Sequence, residues 1–252
     1  MSKNNLFDQT NIYPELESVS AAAAARWVSL CKEAISDHGS FHVALSGGST
    51  PKRLYQLLAA HPFSEQIDWA KVHIYFGDER FVPHDHPDSN YRMAREAMLD
   101  QLAIPESQIH PVDTSLSSAA EAAETYAQEL QQQLPLNHNG QHCFDLMLLG
   151  MGPDGHTASL FPETEILHEQ QTLCAASYVE KMTSWRISLT FKTINTSHHI
   201  ALLVCGENKV EALRHAMRRN TPRLPIQRLV PQGSLEWLLD EAAAKGLAEV
   251  LA

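Results

Sequence analysis

Residues Phe144–Thr157 read FDLMLLGMGPDGHT: an apolar run of strand length leads into a glycine-rich turn that ends on an acid and a histidine. A glycine-rich turn directly after a strand brings backbone amides to one edge of a sheet, and here it adds the Asp154 carboxylate and the His156 imidazole. This combination is typical of a site for hydrolysis or proton transfer on a small, oxygen-rich substrate. The stretch therefore predicts a buried strand and an enzyme.

Short apolar segments that predict strands alternate with helical patterns on both sides of this stretch. The predicted strands are 41–46, 72–76, 144–149, 172–179, 186–190 and 199–204, and the predicted helices are 18–35, 51–60, 90–102, 118–134, 209–218 and 234–250. Such alternation predicts an α/β fold, a doubly wound and mostly parallel sheet with helices on both faces. In these sheets ligands bind beyond the carboxyl ends of the strands, at a switch point in strand order.

The bulk composition of the 252 residues is that of a globular protein, with 44% hydrophobic and 19% charged residues. It favours a single domain over residues 1–252. No apolar run approaches the roughly 20 residues that a membrane span needs, and the polar first residues lack a hydrophobic signal core. We therefore expect a cytoplasmic protein with no membrane partner. The formal net charge of −11 argues against nucleic acid as a partner, because phosphates need a basic face.

No segment has the spacing of a metal site. The four cysteines, Cys31, Cys143, Cys174 and Cys205, include no CxxC pair, which favours buried and reduced thiols. Residues His84–Asp88 (HDHPD) contain metal-binding residue types, but the segment is short and broken by proline, so we expect a solvated loop. No metal is predicted.

The segment Ser46–Pro51 (SGGSTP) directly follows the predicted strand 41–46. Gly47 and Gly48 let a ligand approach the backbone closely, Thr50 is suited to cap the next helix, and a proline fits its first position. The amides of residues 47–50, Ser49 among them, then favour an anion such as phosphate. No Gly-Lys-Ser/Thr follows at the spacing of a Walker A loop. A tight turn with an ordinary cap remains the alternative.

Charged residues stand at the ends of three further predicted strands. In Phe76–Val82 (FGDERFV), Asp78 is suited to bind sugar hydroxyls or to hold a catalytic histidine, and Arg80 to pair with phosphate. Arg186 begins its strand, whereas Lys209 follows strand 199–204, where ligands are expected. We predict that Arg80, Arg186 and Lys209 help to bind phosphate, although each alone is typical of a surface charge.

Gly150, Gly152 and Gly155 satisfy the GxGxxG pattern of dinucleotide sites. The turn follows a central strand, however, and Pro153 and Asp154 occupy places where a pyrophosphate needs free amides. No clear acidic residue ends a strand about twenty positions later. We therefore predict no nucleotide cofactor, and we consider the amides of Gly152 and Gly155 as oxyanion donors.

These segments, in this order, resemble the 6-phosphogluconolactonase family, within the wider group that includes the glucosamine-6-phosphate deaminases. The segments that carry the resemblance are LSGGSTPKRLY, IYFGDERFVP, DLMLLGMGPDGHTASLFP, RISLTFKTIN, GENKVEAL and LPIQRLVPQGSLEWLLD, of which DGHTASLFP is the most specific. The resemblance implies a Rossmann-like fold of the NagB type and no metal or organic cofactor. It also implies hydrolysis of 6-phospho-D-glucono-1,5-lactone to 6-phosphogluconate, the second step of the oxidative pentose phosphate pathway.

Two positions distinguish this chain within the resemblance. In the deaminases the DGH turn is followed by an Asn-Glu-Pro whose Glu assists catalysis, whereas this chain has Phe161 at the corresponding position. A phenylalanine cannot transfer protons, which favours the lactonase. The family usually has prolines just before the strand arginine, whereas this chain reads Met182–Trp185 (MTSW), so the local loop departs from the family pattern and the role of Arg186 stays open.

The expected mechanism is general-base catalysis by His156. A neutral imidazole takes a proton from water as it attacks C1, and the imidazolium returns a proton to the departing ring oxygen. Asp78 or Asp154 orients the imidazole or the sugar hydroxyls, and both assignments stay open. The substrate is a small sugar-phosphate lactone, and we expect a monomer or a weak homo-oligomer. The alternatives are a glucosamine-6-phosphate deaminase/isomerase, a non-catalytic sugar-phosphate sensor and a dinucleotide-dependent oxidoreductase.

Overall fold

The computed structural model describes residues 9–218, 224–245 and 247, and strands and helices alternate along most of them. The strands are β1 (Thr10–Tyr13), β2 (Phe41–Leu45), β3 (Val72–Phe76), β4 (Asp78–Arg80), β5 (Ile109–His110), β6 (Leu146–Leu149), β7 (Cys174–Val179), β8 (Ser184–Leu189), β9 (His199–Val204) and β10 (Ser234–Asp240). The α-helices are α1 (Leu16–His38), α2 (Ser49–Ala59), α3 (Asn90–Ala97), α4 (Ala119–Gln133), α5 (Phe191–Thr196), α6 (Val210–Met217) and α7 (Glu241–Ala244).

The main sheet is parallel throughout, in the order β1-β10-β9-β6-β2-β3-β5. The chain runs outward from β2 through β3 to β5, returns to place β6 on the other side of β2, and continues outward through β9 and β10. The strand order therefore reverses between β2 and β6. The crevice beyond their carboxyl ends is the place where sheets of this type bind ligands. The predicted α/β architecture is confirmed.

Both faces of the central strands β2, β6 and β9 are buried, which explains their continuous apolar sequences. In β6, Leu146 and Leu148 join the core beside α1 and α2, whereas Met147 and Leu149 join the core beside α4 and α6. Successive side chains of a strand point to opposite faces, so a run of four apolar residues serves both cores. The apolar run that precedes the glycine-rich turn is thus a central strand, as predicted.

The predicted strands 172–179 and 186–190 exist, but they lie outside the main sheet. As β7 and β8 they form a second, antiparallel sheet with β4, in the order β4-β8-β7. The charged segment at Asp78, expected at the end of strand 72–76, is itself the short strand β4, whose residue Arg80 lies opposite Arg186 of β8. An apolar pattern does not state which sheet a strand joins, so the sequence did not reveal this sheet.

The prediction of a helix over 234–250 is wrong for its first half. Ser234–Asp240 is strand β10, which lies between β1 and β9, and among the described residues that follow it Glu241–Ala244 are helical. Trp237, Leu238 and Leu239 are all buried, and a consecutive buried triplet fits a strand covered on both faces better than one face of a helix. Residues 246 and 248–250 of the predicted helix lie outside the described residues, as do residues 221–223.

Several shorter features complete the comparison with the predicted elements. The other predicted helices occur, with ends shifted by a few residues, whereas the short elements β1, β5 and α5 were not predicted. Three of the cysteines are buried and Cys205 is half-buried. Within the residues that the structure describes, none of the helices is long and apolar enough to cross a membrane.

Candidate active site

A cavity of about 320 Å³ opens at the switch point between β2 and β6. Most of the residues that the sequence singled out line this cavity: Gly47, Gly48, Ser49, Thr50, Asp78, Arg80, Gly152, His156, Arg186 and Lys209. Ser159, Phe161, Met182 and Cys205 line it as well. The cavity therefore collects side chains and amides from the carboxyl ends of the main sheet and from the second sheet.

The imidazole of His156 is held on two sides. Its Nδ1 lies 2.5 Å from Oδ1 of Asp154, and the ring of Phe161 stacks on it with centroids 3.9 Å apart. A carboxylate only accepts hydrogen bonds, so Nδ1 carries the proton and Nε2 keeps its lone pair. Among the described residues Nε2 has no hydrogen-bond partner, and His156 lines the cavity.

The environment of His156 keeps its imidazole neutral. Burial lowers the pKa of His156 from 6.5 to about 4; the Asp78 charge opposes this effect, and the cations Lys209, Arg186 and Arg80 add to it. Desolvation penalises the imidazolium, because the protein replaces the water that would solvate the charge. At neutral pH the ring is thus an uncharged base with one open nitrogen.

The glycines of the turn allow this packing, but they do not form an oxyanion hole. A Cβ at Gly152 would lie 2.0 Å from Cε1 of His156, so only glycine fits beneath the ring. The Gly152 N–H donates to the carbonyl of His156 (2.8 Å), and the Gly155 N–H donates to the carbonyl of Gly152 (3.0 Å). Both amides are taken within the turn, which corrects the prediction that they serve as oxyanion donors.

Asp78 is buried beside the cavity, with its side chain fixed by neighbours. It is 8% exposed, and its carboxylate accepts a hydrogen bond from Oγ of Ser159 at 2.6 Å. Nδ2 of Asn90 donates to the Asp78 carbonyl at 2.8 Å. The structure therefore places Asp154, not Asp78, in contact with the imidazole, while Asp78 acts on His156 only through its charge.

The neighbouring acid Glu79 has a structural role. Its buried carboxylate accepts hydrogen bonds from the backbone N–H groups of Asn90 and Tyr91 at the start of α3. A carboxylate at a helix start satisfies open amides and interacts favourably with the helix dipole. Of the two consecutive acids, only Asp78 reaches the cavity.

Arg80 and Arg186 are direct cross-strand neighbours in the second sheet. Arg186 is 7% exposed, and Nε of each arginine is buried without a hydrogen-bond partner among the described residues. The pKa of Arg186 is lowered, first by burial and then by the positive charge of Arg80. Like charges opposite each other in a sheet are destabilising, so this pair is suited to bind an anion.

The start of α2 is open toward the cavity. The helix begins at Ser49, two residues earlier than predicted, and its N-cap is Gly48 with φ of +108° and no side-chain cap, so Thr50 does not cap it. The hydroxyl of Tyr55 accepts from the Ser46 N–H at 2.9 Å and donates to the Ser46 carbonyl at 2.8 Å, which fixes the loop. The uncapped first-turn amides carry the positive end of the helix dipole.

Lys209 lies beyond β9 and lines the cavity from the side of the main sheet. Burial lowers its pKa, and in the described part of the chain it makes no ion pair. Positive charge therefore reaches the cavity from three directions: the second sheet, the start of α2 and the segment after β9. This local convergence contrasts with the net charge of −11.

Three residues that hold predicted site residues in place were themselves not predicted from the sequence. Ser159 and Asn90 hold Asp78, and the ammonium of Lys181 contacts the Asp154 carboxylate and lies 4.8 Å from the centroid of the Phe161 ring. Ser159 stands within the specific segment DGHTASLFP, which was a usable signal, whereas a lysine in a hairpin turn looks like any exposed charge. In the described ranges no group of three or more His, Cys, Asp or Glu side chains is arranged to hold a metal ion.

The chain is similar to known proteins over most of its length. The family model described as "Glucosamine-6-phosphate isomerases/6-phosphogluconolactonase" matches residues 14–237. A 6-phosphogluconolactonase of Synechocystis sp. is 42% identical over 217 residues, which cover 85% of this chain and 88% of that protein. A 6-phosphogluconolactonase of Streptomyces coelicolor is 35% identical over 250 residues and 96% of each chain.

A solved structure agrees with these sequence relatives. The structure of 6-phosphogluconolactonase from Trypanosoma brucei aligns with a TM-score of 0.83 and 30% identity, over 95% of this chain and 98% of that one. The relatedness therefore covers the main sheet, the second sheet and the loops that surround the cavity.

Proposed function

This chain belongs to the family of glucosamine-6-phosphate isomerases and 6-phosphogluconolactonases, and we propose that it hydrolyses 6-phospho-D-glucono-1,5-lactone to 6-phospho-D-gluconate. Its relatives are 6-phosphogluconolactonases, which supports lactone hydrolysis as the reaction. The cavity supports the mechanism, because it contains a histidine and several cations. The observation that carries the proposal is an imidazole whose Nδ1 is bound to Asp154 and whose Nε2, beside a cationic cavity, has no hydrogen-bond partner among the described residues. In this proposal the reaction is the second step of the oxidative pentose phosphate pathway.

His156 acts as the base in the proposed mechanism. Nε2 takes a proton from a water molecule while the water oxygen forms a bond to C1 of the lactone. The C1 oxyanion then collapses, the bond from C1 to the ring oxygen breaks, and the imidazolium gives its proton to that oxygen. Asp154 keeps Nδ1 protonated and stabilises the imidazolium between the two steps. Positioned acid–base catalysis of this kind contributes about 10²–10⁴-fold to the rate.

The cations of the cavity bind the phosphate group. Arg80, Arg186, Lys209 and the open amides of α2 supply charge-assisted hydrogen bonds, each worth about 1.5–3 kcal/mol. Two or three such bonds hold a free sugar phosphate in the micromolar to millimolar range. Because the Gly152 and Gly155 amides are taken, these positive groups also provide the field that stabilises the C1 oxyanion. Asp78 accepts hydrogen bonds from the sugar hydroxyls.

Phe161 favours the lactonase over the deaminase. It occupies the position that corresponds to the catalytic Glu of the deaminases, and its ring packs against the imidazole instead of offering a carboxylate. This chain therefore lacks the proton carrier that the deaminase reaction uses at this position. Release of ammonia from glucosamine 6-phosphate is therefore the activity to exclude by assay.

A coupled assay tests the proposal. Glucose 6-phosphate, its dehydrogenase and NADP generate the lactone, and the disappearance of the lactone is followed with and without the protein. We expect hydrolysis well above the spontaneous rate and no ammonia from glucosamine 6-phosphate. A lactone decay that is the same with and without the protein would refute the function.

A further inference from the structure

Lys181 stands in the turn between β7 and β8, directly above the glycine-rich turn of the main sheet. Residues Glu180–Met182 form a single 3₁₀ turn, and Thr183 closes it in the left-handed region with φ of +48°. This hairpin belongs to the second sheet, whereas Asp154 and His156 follow β6 of the main sheet. Lys181 therefore reaches the base from a different sheet.

The ammonium of Lys181 contacts both groups that hold the imidazole. It pairs with the Asp154 carboxylate and lies 4.8 Å from the centroid of the Phe161 ring. Asp154 uses its Oδ1 for Nδ1 of His156, and Phe161 stacks on the same ring. A carboxylate bound on both sides loses its rotational freedom, and a cation over an aromatic face is attracted by the ring quadrupole.

The charge of Lys181 also bears on the protonation of His156. An unpaired Asp154 next to Nδ1 would stabilise the imidazolium, and a cation on the far side of that carboxylate weakens the effect. The other charged groups around His156 are Asp78 and Arg80 of β4, Arg186 of β8 and Lys209 after β9. Among the described residues, Lys181 is the lysine or arginine that pairs with the Asp154 carboxylate, so its charge opposes that of the carboxylate.

We propose that Lys181 is a positioning residue, which fixes Asp154 on Nδ1 of His156 and keeps the imidazole in its neutral, base-competent form. The inference rests on the function proposed above, because it assigns Lys181 a role in orienting His156 and keeping it unprotonated for that reaction. It requires no contact between Lys181 and the substrate. Its signature is a change in the titration of His156 rather than in substrate binding.

An NMR titration of the His156 ring tests the inference independently of activity. The chain has 14 histidines, so the His156 signal is assigned from its loss in a His156→Asn variant. We expect Lys181→Met to raise the pKa of His156 by about one unit and Lys181→Arg to restore it. The acid limb of kcat/KM moves by the same amount, and kcat falls about 10-fold at nearly constant KM.

Lys71→Met is the matched control. Lys71 also pairs with an aspartate, Asp68, its side chain is 50% exposed like that of Lys181, and it lies just before β3 at the opposite edge of the sheet. We expect this variant to titrate like the wild type at His156. A His156 titration that is identical in Lys181→Met and wild type overturns the inference, even where lactone hydrolysis is confirmed. Absence of lactone hydrolysis in the wild type instead refutes the proposed function and leaves the titration readable.

Discussion

The two edges of the main sheet both carry histidines of lowered pKa, but the rings differ in their hydrogen-bond partners and in the cavity beside them. At the carboxyl edge, burial lowers the pKa of His156 to about 4; toward the amino edge, it lowers that of His42 to about 3. His42 stacks on His73 with centroids 4.5 Å apart, and His110 stacks on Tyr75 at 4.3 Å. A lowered pKa is therefore common to both regions and identifies neither.

The difference lies in the partners of the ring nitrogens. Nε2 of His42 lies 3.0 Å from Oγ of Ser40, and its Nδ1 lies 3.2 Å from the hydroxyl of Tyr75. His156 has a partner on Nδ1, whereas its Nε2 has no hydrogen-bond partner in the described part of the chain and lies beside the cavity. A histidine with both nitrogens occupied stabilises a fold, and one with a single open nitrogen beside unpaired cations is available as a base.

Replacing His156 is the strongest test of this contrast. We expect His156→Ala to lower kcat about 1,000-fold with little change in KM, because acid–base help is lost while the phosphate contacts remain. His42→Gln is the comparison, since it changes an equally depressed histidine outside the cavity, and its kcat stays within about twofold of wild type. Steady-state kinetics of both variants decide the matter. Equal losses of kcat in the two variants would contradict the proposal that His156 acts as the base and His42 does not.

A methyl group under the imidazole tests the geometry of the same edge. The Cβ of Gly152→Ala would overlap the His156 ring, which must then leave Asp154 and Phe161, so we expect kcat to fall about 100-fold. At Gly150 the same methyl meets no heavy atom closer than 4.0 Å, so we expect a much smaller decrease in kcat for Gly150→Ala. Thermal unfolding shows whether each variant keeps its fold. Full activity in Gly152→Ala would mean that the position of the ring does not matter.

At the amino edge we expect His42 to affect the stability of the protein and not its kcat. His42 is neutral in the folded protein, while in the unfolded chain it binds a proton below about pH 6.5, so stability falls as the pH drops from 6.5 toward 3. Between pH 6.5 and 5.0 this histidine alone lowers the free energy of unfolding by about 2 kcal/mol. Urea unfolding at pH 7, 6 and 5 gives the free energy of unfolding at each pH. We expect this free energy to fall less with decreasing pH in His42→Gln than in wild type. The same pH dependence in both proteins would contradict a depressed pKa at His42.

The cross-strand arginines give the smallest of the four effects. We expect Arg186→Leu to raise KM about 10-fold through the loss of one charge-assisted bond, while the stability of the ligand-free protein stays equal or increases. Inorganic phosphate should raise the Tm of the wild type and do so less in the variant. The control is Arg92→Leu, which removes an exposed arginine paired with Glu96 in α3. An unchanged KM in Arg186→Leu would remove this arginine from the phosphate site.

Local patterns in the sequence predicted much of the fold and most of the cavity. The apolar runs of β2, β3, β6 and β9 are long enough to mark buried strands, and each precedes a segment that reaches the cavity. The rule that ligands bind beyond the carboxyl ends of parallel strands then brought Gly47, Asp78, His156 and Lys209 together.

The features that the sequence did not predict depend on contacts between distant segments. The pairing of Arg80 with Arg186 follows from the register of an antiparallel sheet that apolar patterns do not reveal. The amides of Gly152 and Gly155 were expected to be free, but the fold of the turn uses both. Strand β10 was mistaken for a helix, because its burial on both faces depends on β1 and β9.

The opposed side chains of Arg80 and Arg186 have a consequence for how affinity is measured in this protein. Two like charges whose Nε donors have no partner among the described residues attract small anions, so we expect orthophosphate to compete with a sugar phosphate for the cavity. In phosphate buffer an incoming sugar phosphate then has to displace that ion. Apparent affinities measured in phosphate buffer therefore report a competition, and the intrinsic affinity emerges only in buffers that lack such ions.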